Sequence, residues 1–222
     1  MAYESAAGRR TSAAFAGCGT KNTEKMSEFL SFLQLGFHHI ADPKAFDHLL
    51  FIVTLCAMYH WRDWRNLLVL ITAFTIGHSL TLVLAGFQVL NVPKDLVEFL
   101  IPVTIVLTSV HNIWSGKAEG GVFSKSVSTN YLMALFFGLI HGMGFANFFQ
   151  ALLGEEGSVV KPLFSFNVGI ELGQLLIVTV FFGLYFFLAK VFKLQHRDWN
   201  LYVSGVGGGG ALVLILQSVF NQ

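Results

Sequence analysis

From residue 26 to residue 220 the chain is a succession of long apolar runs separated by short polar breaks. Four runs, 67–87, 96–114, 131–153 and 163–189, are long enough to cross a bilayer as helices, and a further run covers 201–220. A helix rises 1.5 Å per residue, so ~20 apolar residues match a hydrocarbon layer of ~30 Å. Two shorter runs come first, 26–41 with helical periodicity and 45–59, with Pro43 between them. They read as an interfacial or re-entrant helix followed by a span, or as one long kinked helix. The pattern predicts an all-α fold, a polytopic transmembrane helix bundle of about six apolar segments. Residues 26–222 form a single transmembrane domain in this reading. Residues 1–25 read as a disordered tail, or as an over-extended start with Met26 as initiator, because neither Arg9-Arg10 nor Cys18 has the apolar stretch a signal peptide needs.

Composition sharpens this picture. Of 222 residues, 54% are hydrophobic and 12% charged, where a soluble domain carries about 25% charged residues. The mean hydropathy of +0.63 agrees. So little polar surface cannot cover a water-soluble body, and a bilayer removes the conflict. A net charge of +1 leaves no basic stripe for phosphates, which excludes a nucleic-acid partner. The two cysteines, Cys18 and Cys56, lie far apart, and no disulfide framework is expected.

Loop charges predict orientation. Alternate loops hold Arg62 and Arg65, then Lys117 and Lys125, then Lys190, Lys193 and Arg197; the opposite set holds Lys94 and Lys161 with Glu155 and Glu156. Seven basic residues against two place the first set in the cytoplasm of a bacterial inner membrane and the C-terminus outside. Trp61, Trp64, Trp114 and Trp199 then fall near cytoplasmic ends, as interfacial anchors do.

The chemistry lies in polar groups where apolar helices should have none. Asp47 and His48 open the second short run, and His78, His141 and Glu171 sit deep in three of the spans. An ionisable group at the bilayer centre costs about 2.5–3.5 kcal/mol on insertion scales, so these groups should meet inside the bundle. Asn167, Glu171 and Gln174 recur at i, i+4 and i+7 along one stripe. Thr75 and Ser79 share a face with His78. Gly138, Gly142 and Ala146 form a small-residue ridge beside His141 that lets another helix approach closely. Gly205 and Gly207 to Gly210 imply close packing or local unwinding of the last span. With the assigned orientation, Asp47 and His48 lie near the outer end of their span and His78 and His141 near the middle, a funnel open outward.

Imidazole with carboxylate suits a divalent transition metal, whether nickel, cobalt, zinc or copper. The candidate ligands are His48, Asp47, His78, His141 and Glu171, with His39 extending the entrance. Thr75, Ser79, Asn167 and Gln174 would orient them. A polar network that merely fixes helix register is the plainer reading of any one buried histidine; five ionisable groups on four spans favour an ion site. His111 reads as an interfacial residue, His60 and His196 as solvated loop residues, and the phenylalanines as lipid-facing or core bulk.

At His39-Ile40, Asp47-His48-Leu49-Leu50-Phe51, Thr72-Ala73-Phe74-Thr75-Ile76-Gly77-His78-Ser79-Leu80-Thr81, Gly138-Leu139-Ile140-His141-Gly142-Met143-Gly144-Phe145-Ala146 and Phe166-Asn167-Val168-Gly169-Ile170-Glu171-Leu172-Gly173-Gln174, the chain resembles the HupE/UreJ family of hydrogenase and urease accessory membrane proteins. The first motif is similar to the His–spacer–Asp–His signature of nickel/cobalt transporters, with seven residues between His39 and Asp47. The resemblance implies a nickel or related metal permease, a secondary carrier. Its partners would be the lipid bilayer and the metal ion, with a homo-oligomer or metalloenzyme-maturation proteins as further candidates. The residues also admit an intramembrane zinc hydrolase with Glu171 as general base, although no His-Glu-x-x-His motif occurs, or a metal-binding assembly or sensor protein. A transporter is preferred to an enzyme.

Overall fold

The computed structural model describes residues 26–43, 46–89, 92–115, 125–153 and 159–220, with side chains of the fourth stretch from residue 128. The expected tail 1–25 and the charged residues Lys117, Glu155 and Glu156 lie outside them, as does the Lys125 side chain. The described chain is helical with no strand. Its elements are α1 (26–41), α2 (Phe46–Cys56), a short 3-10 turn (Trp61–Asp63), α3 (Trp64–Gly86), α4 (Lys94–Ser115), α5 (Lys125–Leu153), α6 (Val160–Phe192) and α7 (His196–Phe220). Five helices, from α3 to α7, are long and apolar enough to cross a membrane.

Polarity is turned inside out relative to a soluble bundle. Large apolar side chains such as Ile76, Leu80, Leu107, Phe136, Leu172 and Val180 face outward, while His48, His78, His141, Thr104, Asn112 and Ser204 are buried. Lipid can solvate the first set but not the second. The protein is therefore a multi-pass membrane protein.

The two short helices form one broken span. On α1, Phe29 accepts a short hydrogen bond from Ser165 near the start of α6. Farther along, a Cβ on Gly169 or Gly173 would meet Phe37. Helix α1 thus runs parallel to α6 and starts on the same side. Beyond the end of α1, α2 continues in that direction. Thr54 packs at Gly207 and Leu50 at Gly210, so α7 runs back along α2. Sixteen residues of α1 and eleven of α2 give ~24 Å and ~16 Å of rise, together a full crossing. Of the two alternatives, the packing supports the kinked helix. Among the described residues α1 with α2, and then α3 to α7, make six passes along the bundle, and residues 26 and 220 lie at the same end of it.

Glycine ridges set the helix spacing. A Cβ on Gly77 would run into the Leu135 carbonyl, and one on Gly138 into the Phe74 carbonyl, so α3 and α5 meet backbone to backbone. Gly142 faces the His78 carbonyl in the same way. Thr81 adds a hydrogen bond to the Leu139 carbonyl at 2.9 Å. The glycine run of α7 stays helical: Gly207 packs on Thr54 and Gly208 on Ser109, which settles it as close packing rather than unwinding. Gly138→Leu should separate α3 from α5. We expect a loss of about 1–3 kcal/mol, the usual cost of overpacking, read as a lower melting temperature in detergent. Gly209→Ala, which meets open space, is the neutral control; equal melting of both variants with wild type would refute this packing account.

One side of the bundle gathers the ends of α2, α3, α4, α5, α6 and α7. Asn130 donates to the Tyr59 hydroxyl at 2.9 Å, His196 Nε2 to the Tyr59 carbonyl at 2.9 Å, and Asn200 to the Asn112 carbonyl at 3.1 Å. Trp61, Trp64 and Trp114 are exposed there. Trp199 is not an interfacial anchor: it is buried against Phe181 and Tyr185, with centroids 5.4 and 5.7 Å away.

Candidate metal centre

Four elements each deliver one histidine to a common point. His39 lies in the last turn of α1, His48 in the first turn of α2, His78 past the middle of α3 and His141 in the middle of α5. Ring centroids lie 4.7 Å apart for His39–His48, 5.5 Å for His39–His78, 6.3 Å for His48–His78 and 5.2 Å for His48–His141. One ligand nitrogen from each of His39, His48 and His78 lies within 4.8 Å of the other two.

The α3–α5 glycine contact explains why His78 and His141 share a level. The helix break explains the rest: it ends α1 and begins α2 at mid-depth, so His39 and His48 arrive beside them. The four rings form a compact cluster, not an outward funnel with His48 near the membrane surface. That funnel presumed a full span beginning at Asp47, whereas α2 is half a span. The break also places the C-terminal, partially negative end of α1 next to the cluster, where it favours a cation.

Hydrogen bonds fix the tautomers. Asp47 Oδ1 accepts from His48 Nδ1 at 3.0 Å and from the His48 backbone N–H at 2.8 Å. In a neutral His48 ring this leaves the lone pair on Nε2. His141 Nδ1 donates to the Phe137 carbonyl at 2.9 Å, which leaves its Nε2 a lone pair. Neither atom has a protein partner, and the same holds for His39 Nε2 and both nitrogens of His78. His78 and His141 are 0% exposed and His48 5%. Five imidazole nitrogens of the four rings are orphaned in an interior where each unmade hydrogen bond costs ~1–3 kcal/mol. That donor set, neutral nitrogen without thiolate, fits a divalent transition metal.

The remaining candidates sit around this core. Asp47 lies behind His48 as an orienting carboxylate. Thr75 lies one turn before His78 and donates to Gln174 Oε1 at 3.0 Å, tying α3 to α6. Ser79 donates to the Thr75 carbonyl at 2.6 Å. Asn167 Oδ1 and Gln174 Nε2 are buried without partners. Glu171 is not brought into the converging group; it is half-buried at the rim of α6. At ~100° per residue, it stands about 60° round the helix from Gln174, so the stripe turns its edge rather than its centre to the cluster.

Four phenylalanines wall the histidines and a fifth, Phe137, packs behind them, a role the sequence reading did not give them. Phe145 lies 4.1 Å from His39, Phe166 5.7 Å from His39, Phe51 4.7 Å and Phe74 5.2 Å from His141, and Phe137 6.0 Å from Phe51. Phe51, Phe74, Phe137 and Phe145 are three or four residues from a cluster histidine on the same helix, a spacing that was legible. His60 and His196 also differ from expectation: their rings stack at 3.6 Å instead of standing free in solvent.

Fold and site together define a multi-pass helical membrane protein with a buried, four-element histidine cluster. The chain belongs to the HupE/UreJ family: the family model described as HupE / UreJ protein matches residues 18–219. No curated protein and no solved structure matches the chain.

Proposed function

We propose that the protein is a permease for a divalent transition metal of the nickel class, with His39, His48 and His78 as the principal ligands and His141 as an adjacent one. The observation that carries this reading is that His39, His48 and His78 each bring a ligand atom within 4.8 Å of the other two, in a cluster whose buried imidazole nitrogens have no protein partner. A register-fixing network would pair them with each other or with backbone. A carrier site must bind well enough to select and loosely enough to release. Neutral imidazoles, with one carboxylate held behind His48, meet that demand better than a thiolate cage. The family resemblance supports nickel as the first metal to try.

The test is initial uptake into proteoliposomes, screened over nickel, cobalt, zinc and copper, with a His39/His48/His78 triple alanine variant as control. Saturable uptake by wild type that the variant lacks supports the permease. Metal binding without uptake would instead favour a sensor, an assembly protein or an intramembrane hydrolase.

The orientation belongs to the same proposal. Arg62, Arg65, Lys190, Lys193 and Arg197 lie on one side of the bundle and Lys94 and Lys161 on the other. The bias supports a first side in the cytoplasm of a bacterial inner membrane, with residues 26 and 220 both outside. In a Cys18/Cys56-free background, Arg65→Cys and Lys193→Cys should resist an impermeant maleimide in intact cells and react after lysis. Labelling in intact cells would reverse the orientation.

A further inference from the structure

A second set of donor side chains lies below the histidine cluster, towards the Trp61–Arg65 side. It surrounds a cavity of about 10 Å³ lined by Met58, Tyr59, His111, Asn112, Asn130 and Met133, among others. By volume it holds about one water or one bare ion. The Asn130 amide ties its walls together: Oδ1 lies 3.0 Å from His111 Nε2, and Nδ2 lies 2.9 Å from the Tyr59 hydroxyl and 3.8 Å from Met58 Sδ. Three elements therefore meet here, α4, α5 and the turn after α2. Asn112, 1% exposed, contributes an Oδ1 that has no partner.

The cavity is distinct from the histidine cluster but in line with it. Phe137 separates them: its carbonyl accepts from His141 Nδ1 and its side chain lines the cavity. Asn130 precedes His141 by eleven residues on α5, so the two levels are ~16 Å apart along the helix. No carboxylate lines the cavity; its donors are one imidazole, two thioethers, amide oxygens and a phenol.

We infer that this cavity is a second metal site, a release station for a borderline or soft transition-metal ion leaving the histidine cluster. The inference rests on the permease reading for its role in transport, although the site's existence does not. Imidazole and thioether together favour such ions over magnesium or calcium. A site without formal negative charge holds its ion weakly, as the last stop before release requires.

The hydrogen-bond pattern shows how the station opens. Asn130 Nδ2 donates to Tyr59, so Oδ1 accepts from His111 Nε2–H. Ser115 Oγ lies 3.4 Å from His111 Nδ1, and a hydroxyl can donate or accept. When the imidazole proton sits on Nδ1 instead of Nε2, Ser115 accepts it. Nε2 and Asn130 Oδ1 then both offer lone pairs to the cation. No net proton is gained or lost. Ligation draws the Asn130 amide from Tyr59 and loosens the contact that joins α5 to the turn after α2.

The experiment is Ni(II) binding to the purified, tag-free full chain, with X-ray absorption to detect sulfur ligands. Three variants are compared with wild type: His48→Ala/His78→Ala, Met58→Leu/His111→Gln, and all four together. Met58→Leu conserves volume and His111→Gln keeps a hydrogen-bonding group, so the fold is retained; unchanged helicity and melting confirm it. The expected result is that the His48/His78 variant keeps one Ni(II) equivalent with a Ni–S signal, and that adding Met58→Leu/His111→Gln removes both. If wild type binds one equivalent with no Ni–S signal and the His48/His78 variant binds none, the second site is overturned and the histidine cluster stands. If the His48/His78 variant binds as wild type does, and only Met58→Leu/His111→Gln abolishes binding, the second site stands and the cluster fails as the ion site. Nickel that survives all four substitutions is adventitious surface binding and overturns the proposal.

Discussion

Replacing His78 by leucine should abolish metal binding at the histidine cluster while leaving the metal-free protein as stable as wild type, or more so. His78 is fully buried and neither ring nitrogen has a partner. Each orphan costs ~1–3 kcal/mol, and an apolar side chain of similar volume removes that penalty without opening a large cavity. A histidine retained for architecture would behave oppositely, because its loss would break hydrogen bonds that hold helices together. The loss of binding should exceed ~100-fold, since removing mere supporting partners of ligands already costs 10–100-fold. Thermal melting with and without Ni(II) reads both effects. Ligand at 100 times its Kd stabilises the native state by about 2.7 kcal/mol, and in a Met58→Leu/His111→Gln background, which leaves the histidine cluster as the only site, that shift should vanish on adding His78→Leu. A variant that melts well below wild type without metal, yet still shifts when nickel is added, would show that His78 is structural.

The bundle was largely legible in the sequence because lipid imposes a simple rule. Apolar runs of sufficient length must be helices, and polar groups within them must turn inward. Helices α3 to α7 lie where those runs predicted. The ridge at Gly138 and Gly142 was readable for the same reason, since only a missing side chain allows one backbone to touch another. His48, His78 and His141 came together as their insertion cost required.

What the sequence did not settle was depth and angle. Pro43 marked a break, but its position relative to the bilayer depends on α1 packing along α6, and that is a tertiary contact. On this point turned both the level of His48 and the standing of His39, which moves from the entrance to the centre. Glu171 stands outside the close histidine group for a finer reason. A stripe at i, i+4, i+7 is broad, and membership of it does not fix which of its residues faces inward. Gln174 does, through Thr75. The lower network was hidden because His111, Asn130 and Met58 are each unremarkable in sequence; nothing in their spacing links them until the fold places all three around one amide.

The two carboxylates close to the cluster should respond very differently to loss of charge. Asp47 accepts two hydrogen bonds from His48, one from the ring and one from the backbone. It thereby fixes the tautomer that leaves the lone pair on Nε2, and its charge makes that nitrogen a better donor. Asp47→Asn preserves size and one acceptor oxygen but removes the charge, and its amide nitrogen can turn towards the ring and set the wrong tautomer. We expect Ni(II) affinity to fall about 10–100-fold, the usual cost of losing a ligand's orienting partner, with initial uptake at subsaturating metal falling in proportion. Glu171→Gln is the matched comparison, because it too exchanges a carboxylate for its amide. Glu171 stands at the rim of α6 outside the converging nitrogens, so Ni(II) affinity should stay within about threefold of wild type, under ~1 kcal/mol. Both variants are to be measured by equilibrium binding on folded protein and by uptake into proteoliposomes. Equal, large losses would return Glu171 to the ligand set and mean that α6 rotates towards the cluster when the ion binds. A full-strength Asp47→Asn variant would show that the carboxylate behind His48 does not control the ligand, and the orienting role assigned to it would be wrong.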